Sequence, residues 1–222
     1  MNSPTAPLPI LYSLRNCPYA IRARIGIYRA RQKVILRDVK LSNKPKEMIS
    51  ASPKGTVPIL VFEQAPVIEQ SLEIMLWALR SSDPENLLHQ EQDSALGDML
   101  SLIDTFDNQF KSRLEQYKCA KRYHGDNVTE SRAACEPYLQ DLEQRLNKHQ
   151  FVISEQESLA DLAILPFIRQ FARVERQWYL QAPYPKLRHW LNNYLQSKMF
   201  SKVMTKHPLW LDTDEIIILS AE

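Results

Sequence analysis

Apolar positions change their period three times along the chain. Leu8 to Leu14 reads as a strand, and Tyr19 to Arg31 then places Ile21, Ile25 and Tyr28 at spacings of four and three, as one face of a helix requires. Val34 to Val39 is strand-like again, so the opening reads β-α-β, a unit whose ligands gather at the carboxyl ends of its strands. A polar stretch, Asn43 to Ser52, separates it from Thr56 to Phe62, a strand that Pro58 must enter rather than cross, because proline offers no N–H to a central ladder. After a Glu63-Gln64 turn, Ala65 to Glu69 reads as a second short strand. Ser71 to Arg80 is a helix with Leu72, Leu76 and Leu79 on one face. The turn formers Ser81-Ser82-Asp83-Pro84 mark a boundary, and everything beyond it is helical. Leu96, Leu100, Ile103, Phe106, Phe110, Leu114 and Tyr117 line one long amphipathic helix, and further helices are predicted at about Val128–Lys148, Leu159–Val174, Tyr184–Gln196 and Phe200–Lys206. The apolar tail Ile216 to Leu219 is predicted to dock on this chain or a partner.

Composition narrows the function classes. The 222 residues are 44% hydrophobic and 24% charged with a net charge of +2, which suits one large or two modest globular domains. Such a charge gives no electrostatic reason to expect nucleic acid or an anionic membrane as partner. Three widely spaced cysteines, Cys17, Cys119 and Cys135, do not form a secreted disulfide framework. The first nine residues lack signal-peptide character and no run reaches spanning length, so the expected location is cytoplasmic. The five histidines show no ligand spacing, and with only four glycines there is no phosphate loop.

The chemistry concentrates on Cys17, in Arg15-Asn16-Cys17-Pro18-Tyr19-Ala20, where the first strand turns into the first helix. Unpaired amides and the helix dipole favour a thiolate at such a position, and thiols so placed titrate at about 3.5 to 7.5 rather than about 8.5. The ordinary alternative is a buried cysteine acting as a small hydrophobe. Ala20 stands where a Cys-x-x-Cys protein keeps its resolving thiol, so a reacted Cys17 needs a second thiol from elsewhere.

This β-α-β-β-β-α module, with a helix-capping cysteine, a strand-opening proline and a helical second domain, resembles the glutathione transferase family in its cysteine-containing, omega-like branch. The carrying segments are Arg15 to Ala20, Asn43-Lys44-Pro45, Pro53 to Leu60, Gln70 to Ile74 and Ser158-Leu159-Ala160-Asp161. The resemblance implies an α+β chain: a thioredoxin-like, glutathione-binding N-terminal domain (βαβ-ββα) over residues 1–82, and an all-α helical-bundle domain over 83–222. It assigns the cysteinyl backbone of glutathione to Val57, with Pro58 cis, where the residues alone suggest a trans proline opening an edge strand. It gives the γ-glutamyl carboxylate to Ser71, which otherwise reads as an N-cap. It places Gln70 where the branch often has Glu, leaving Glu69 as a substitute for the ligand's ammonium. It puts Lys44 near the glycyl carboxylate, with Lys46 and Lys54 as alternates and plain solvation as the ordinary reading. Ser158 to Asp161 is a capping box with a structural role.

By the same resemblance the partners are glutathione, a small electrophile or mixed-disulfide substrate, and a second copy in a homodimer. Phe106, Phe110, Phe171, Trp178 and Tyr179 are the aromatic candidates for the second substrate's pocket, although helical spacing equally makes them core. No metal and no cofactor beyond glutathione as co-substrate is expected. The implied function is glutathione-dependent thiol transfer at Cys17. The alternatives are a non-catalytic interaction module, as in proteins resembling stringent starvation protein A, and conjugation of glutathione to electrophiles.

Overall fold

The computed structural model describes residues 7–92, 94–213 and 215–221. The chain forms two compact units, residues 1–85 with 197–222 and residues 86–196. This division differs from a single cut after residue 82, because the last 26 residues return to the first unit.

The first unit is built on a four-stranded sheet of β1 (Ile10–Ser13), β2 (Val34–Asp38), β3 (Ile59–Val61) and β4 (Ile217–Leu219), in the order β3-β1-β2-β4. β1 runs parallel to β2, as the intervening helix α1 (Pro18–Arg29) demands, and antiparallel to β3. Leu11, Tyr12 and Ser13 are all buried, as befits a central strand. Pro58 lies just before β3, consistent with its missing N–H. The short strand expected at Ala65–Glu69 is reduced to one antiparallel bridge, Ile68 with Leu60, whose amides exchange hydrogen bonds at 2.9 and 3.0 Å. The polar stretch contains an unpredicted helix α2 (Lys46–Ala51). It buries only Met48, so it leaves no apolar period to read.

The apolar tail docks on its own chain, as β4, pairing Leu36 with Ile217 and Val34 with Leu219 on the free edge of β2. Covering that edge satisfies backbone groups that would otherwise face solvent.

Helices α1 and α3 (Ser71–Ser81) pack against one another, and Gly26 is the reason they can. A Cβ built there would lie 2.6 Å from Met75 Cγ and 2.8 Å from Met75 Cα, so the helix backbones approach more closely than any side chain allows.

The second unit is helical throughout: α4 (Ala95–Thr105), α5 (Lys111–Arg122), α6 (Val128–Ala133), α7 (Glu136–Lys148), α8 (Leu159–Ala172), α9 (Arg176–Gln181) and α10 (Pro185–Leu195). The single long helix expected from Leu96 to Tyr117 is interrupted by a π-helical turn at Phe106–Phe110. That turn rotates the inward face, so Met99 and Leu102 are buried where Leu96 and Leu100 are only half-buried. Pro137 splits the helix expected at 128–148, since it cannot donate to a continuing ladder. The final helix, α11 (Lys198–Val203), belongs to the first unit and packs on α1.

The capping box forms at the start of α8. The Asp161 carboxylate accepts hydrogen bonds from the Ser158 hydroxyl at 2.8 Å, the Ser158 amide at 3.1 Å, and the Val152 amide and Trp190 indole at 3.0 Å each. It thereby ties α8 to α10 and to the loop before α8.

Two outcomes follow. Gly26→Ala forces α1 and α3 apart and lowers stability by about 1–3 kcal/mol, read from urea unfolding. Burial pushes the Asp161 carboxyl up to about 6, with the four donors opposing the rise. The unfolded carboxyl takes its proton only at about 3.9, so this group's contribution makes the fold more stable as pH falls from about 6 toward about 4. Unfolding midpoints across that range should therefore rise relative to those of Asp161→Asn, and parallel curves would refute the assignment.

Candidate functional site

Cys17 follows the end of β1 and is the N-cap residue of α1, with extended backbone (φ −72°, ψ 124°) and proline opening the helix behind it. Its amide donates to Leu14 O at 3.0 Å, closing the turn that delivers the thiol. The side chain is partly exposed, packs against the cluster of Tyr12, Val39, Met48, Val57 and Ile59, and lies with Sγ 3.9 Å from the Val57 carbonyl. A thiol in that position has one face on protein and one open to a reactant. Ala20 is fully buried. Cys135 is likewise the N-cap residue of a helix, α7, but it is buried and that burial pushes its thiol up to about 12, while Cys119 is exposed on α5, away from any helix start.

The Val57–Pro58 bond is cis. Two residues before Val57, Gly55 adopts φ +58°, and a Cβ there would lie 2.9 Å from Lys44 Nζ and 3.0 Å from Ile49 Cδ1. The positive φ calls for glycine, and the exposed Lys44 is laid over the Gly55 backbone. Lys54 is committed elsewhere: its ammonium and the Ser52 hydroxyl both donate to the Glu69 carboxylate. Those bonds, Lys54's first, hold Glu69 below the usual carboxylate range. The clip fastens the end of α2 to the residue before Gln70, and it draws on both Glu69 oxygens.

Gln70, not Ser71, is the N-cap residue of α3, and it caps with its backbone geometry alone. Ser71 is the first helical residue and is buried at 4% exposure, which corrects the N-cap reading. Gln70 is exposed beside it. The structure thus joins Cys17 to Val57 directly, Lys44 to Gly55 in the same loop, and Glu69 to that loop through Lys54. Gly55 and Ser52 were not singled out from the sequence. A Gly two residues before Val-Pro is the signal that could have marked the first, and nothing local marks the second.

Tyr12 is buried, its hydroxyl accepting from Arg37 at 2.8 Å, and Ser13 is wholly buried, so neither presents a hydroxyl to a ligand. The aromatic candidates are core: Phe106, Phe110, Phe171 and Tyr179 are at most 4% exposed, with ring centroids 4.9 to 6.2 Å apart in successive pairs. Trp178 is half-buried beneath the Arg132 guanidinium, 4.4 Å from its ring centroid. A cavity of about 440 Å³ in this unit is lined instead by Lys118, Cys119, Arg122, Tyr123, Gln170 and Val174, among others. Among the described residues no three His, Cys, Asp or Glu side chains gather as a metal site, and no helix is long and apolar enough to cross a membrane.

Comparison with known proteins agrees with this layout. Residues 11–86 match the family model described as glutathione S-transferase, N-terminal domain, and residues 89–193 match glutathione S-transferase, C-terminal domain. The chain is 23% identical over 195 residues to glutathione S-transferase omega-1 of Mus musculus, covering 86% of this chain and 79% of that protein. Among solved structures, a glutathione transferase family member from Pseudomonas fluorescens pf-5, with two glutathione bound, superposes with TM-score 0.77 at 16% identity, over 89% of this chain and 92% of that one. Poplar glutathione transferase F1 gives 0.76 at 16% identity over 90% and 97%. A glutathione S-transferase-I bound with lactoylglutathione gives 0.75 at 20% identity over 89% and 99%. With its two domain matches in chain order on a thioredoxin-like unit followed by a helical one, the chain belongs to the glutathione S-transferase family.

Proposed function

We propose that this transferase acts by thiol exchange at Cys17. The observation that carries the reading is the placement of a partly exposed thiol at the start of α1, against the Val57 carbonyl, in the position from which a helix N-terminus stabilises negative charge. The Cys17 thiolate attacks the glutathione sulfur of a mixed disulfide, forming a Cys17–glutathione disulfide as the bond to the acceptor thiolate breaks. A second glutathione thiolate then attacks the glutathione sulfur of that adduct. Oxidised glutathione leaves and Cys17 is returned as thiolate. The electron pair that displaces the acceptor thiolate comes from the Cys17 thiolate and is restored by the second glutathione thiolate, the first glutathionyl sulfur staying at the disulfide level throughout, so no metal or other cofactor enters.

Ala20 favours this one-thiol cycle, since it leaves no neighbouring cysteine to close a local disulfide. In the proposal the Val57 backbone pairs with the cysteinyl part of glutathione, beside the cis Pro58. Ser71 and the first amides of α3 receive the γ-glutamyl carboxylate, with Gln70 at the ammonium. Lys44, whose ammonium lies over the Gly55 backbone two residues before Val57, meets the glycyl carboxylate, while Lys54 is held by Glu69.

Incubation of a Cys119→Ser variant with oxidised glutathione should add one glutathionyl group to the intact mass, and Cys17→Ala should abolish both that adduct and turnover of a model mixed disulfide. Turnover that persists in Cys17→Ala would instead favour conjugation chemistry. Gly55→Ala, which displaces Lys44 and strains a φ of +58°, should raise KM for glutathione about tenfold while leaving kcat within about twofold, as expected for loss of ground-state binding.

A further inference from the structure

We propose that Arg15 and Arg24 are positioning residues through which the C-terminal segment, residues 197–222, holds the Cys17 loop in place. The inference rests on the reading of Cys17 as nucleophile only for its catalytic consequence. Arg24 is completely buried on α1, and its Nη2 donates to the Arg15 carbonyl at 2.6 Å, two residues before Cys17. Its Nη1 stands 3.8 Å from Asp38 Oδ1, beyond hydrogen-bond reach, and neither Nη1 nor Nε has a hydrogen-bond partner among the described residues. An apolar side chain would fill this space without removing a cation from water. What the guanidinium adds is therefore the short bond to the loop, together with a fixed charge near Cys17 and Asp38.

The Arg15 side chain continues the connection in the other direction. Its Nε donates to the carbonyl of Met204 at 3.0 Å, across 189 residues of sequence, at the C-cap of α11. Helix α11 packs on α1, and the chain beyond it grips the sheet twice more. Trp210 stacks on the Arg37 guanidinium at 3.8 Å, the same guanidinium that donates to Tyr12 of β1, and β4 pairs with β2. The Cys17 loop is thus clamped from below by Arg24 and tied laterally to a segment the rest of the unit already holds.

The test compares wild type, Arg15→Ala and Arg24→Met by hydrogen–deuterium exchange and by turnover. Arg15→Ala removes the bond to Met204 and keeps the Arg15 carbonyl. The Cys17 amide, bonded to Leu14, should exchange about tenfold faster in each variant while the β1–β2 amides keep their protection. With a glutathione mixed disulfide, kcat should fall about tenfold and KM for glutathione should stay within about twofold, the split that marks lost positioning rather than lost binding. Unchanged exchange at Cys17 in Arg15→Ala overturns the proposal, and so does a fall in activity that merely follows the unfolded fraction. Arg15 is partly exposed, so its variant reads the relay even where Arg24→Met does not fold. A wild type without turnover sinks the nucleophile reading, and the exchange result still decides the relay.

Discussion

The contact between Gly26 and Met75 is the constraint on which the rest of the first unit depends. Both helices it joins begin at the candidate site: α1 at Cys17 and α3 at Ser71. Helices behave as stiff rods over this length, so their separation at one contact sets the spacing of their ends. With Met75 Cα 2.8 Å from where a Cβ would stand, no side-chain rotation relieves a larger residue at position 26. The distance between the Cys17 thiol and the start of α3 is therefore governed by a glycine nine residues along the chain from the thiol, set against a methionine four residues from Ser71.

Charge around the site is arranged by commitment rather than by number. Three lysines lie in or near the loop from 44 to 54, and the sequence offers no reason to prefer one. The structure removes Lys54 by pairing it with Glu69, and lays Lys44 over Gly55. The same pairing spends Glu69, which leaves the exposed Gln70 as the polar side chain next to Ser71. A surface pair of this kind contributes little to stability in general, and its use here is to fix which side chains stay available.

The strands and the principal helices were legible because each leaves a period: Ile21 and Ile25 on α1, Leu36 between Val34 and Asp38 on β2. The elements that escaped are those with a single buried residue, Met48 in α2 and Tyr179 in α9, where one contact makes no pattern. The π-turn at Phe106–Phe110 was invisible for the opposite reason, since its aromatics continue a helical spacing that the backbone does not keep. Cys17 stood out through local sequence alone. The burial of Arg24 did not, because an arginine at a helical position reads as solvated, and only the packing of α3 and α11 on α1 makes it a buried cation.

That contrast explains where the function of this chain is encoded. The residues that would touch glutathione lie in short motifs, but those that set their geometry come from far along the chain: Met75 on α3, and Met204 at the other end. A nucleophile on a turn between strand and helix has few local restraints, because the turn residues contribute little buried surface of their own. Rigidity must then be supplied by neighbours that are themselves fixed, as the central strand, the paired helix and the returning C-terminal segment are. Motif and support are thus separable, and a chain that kept Arg15 to Ala20 while losing Gly26 or the Met204 contact would retain the thiol's identity without its placement.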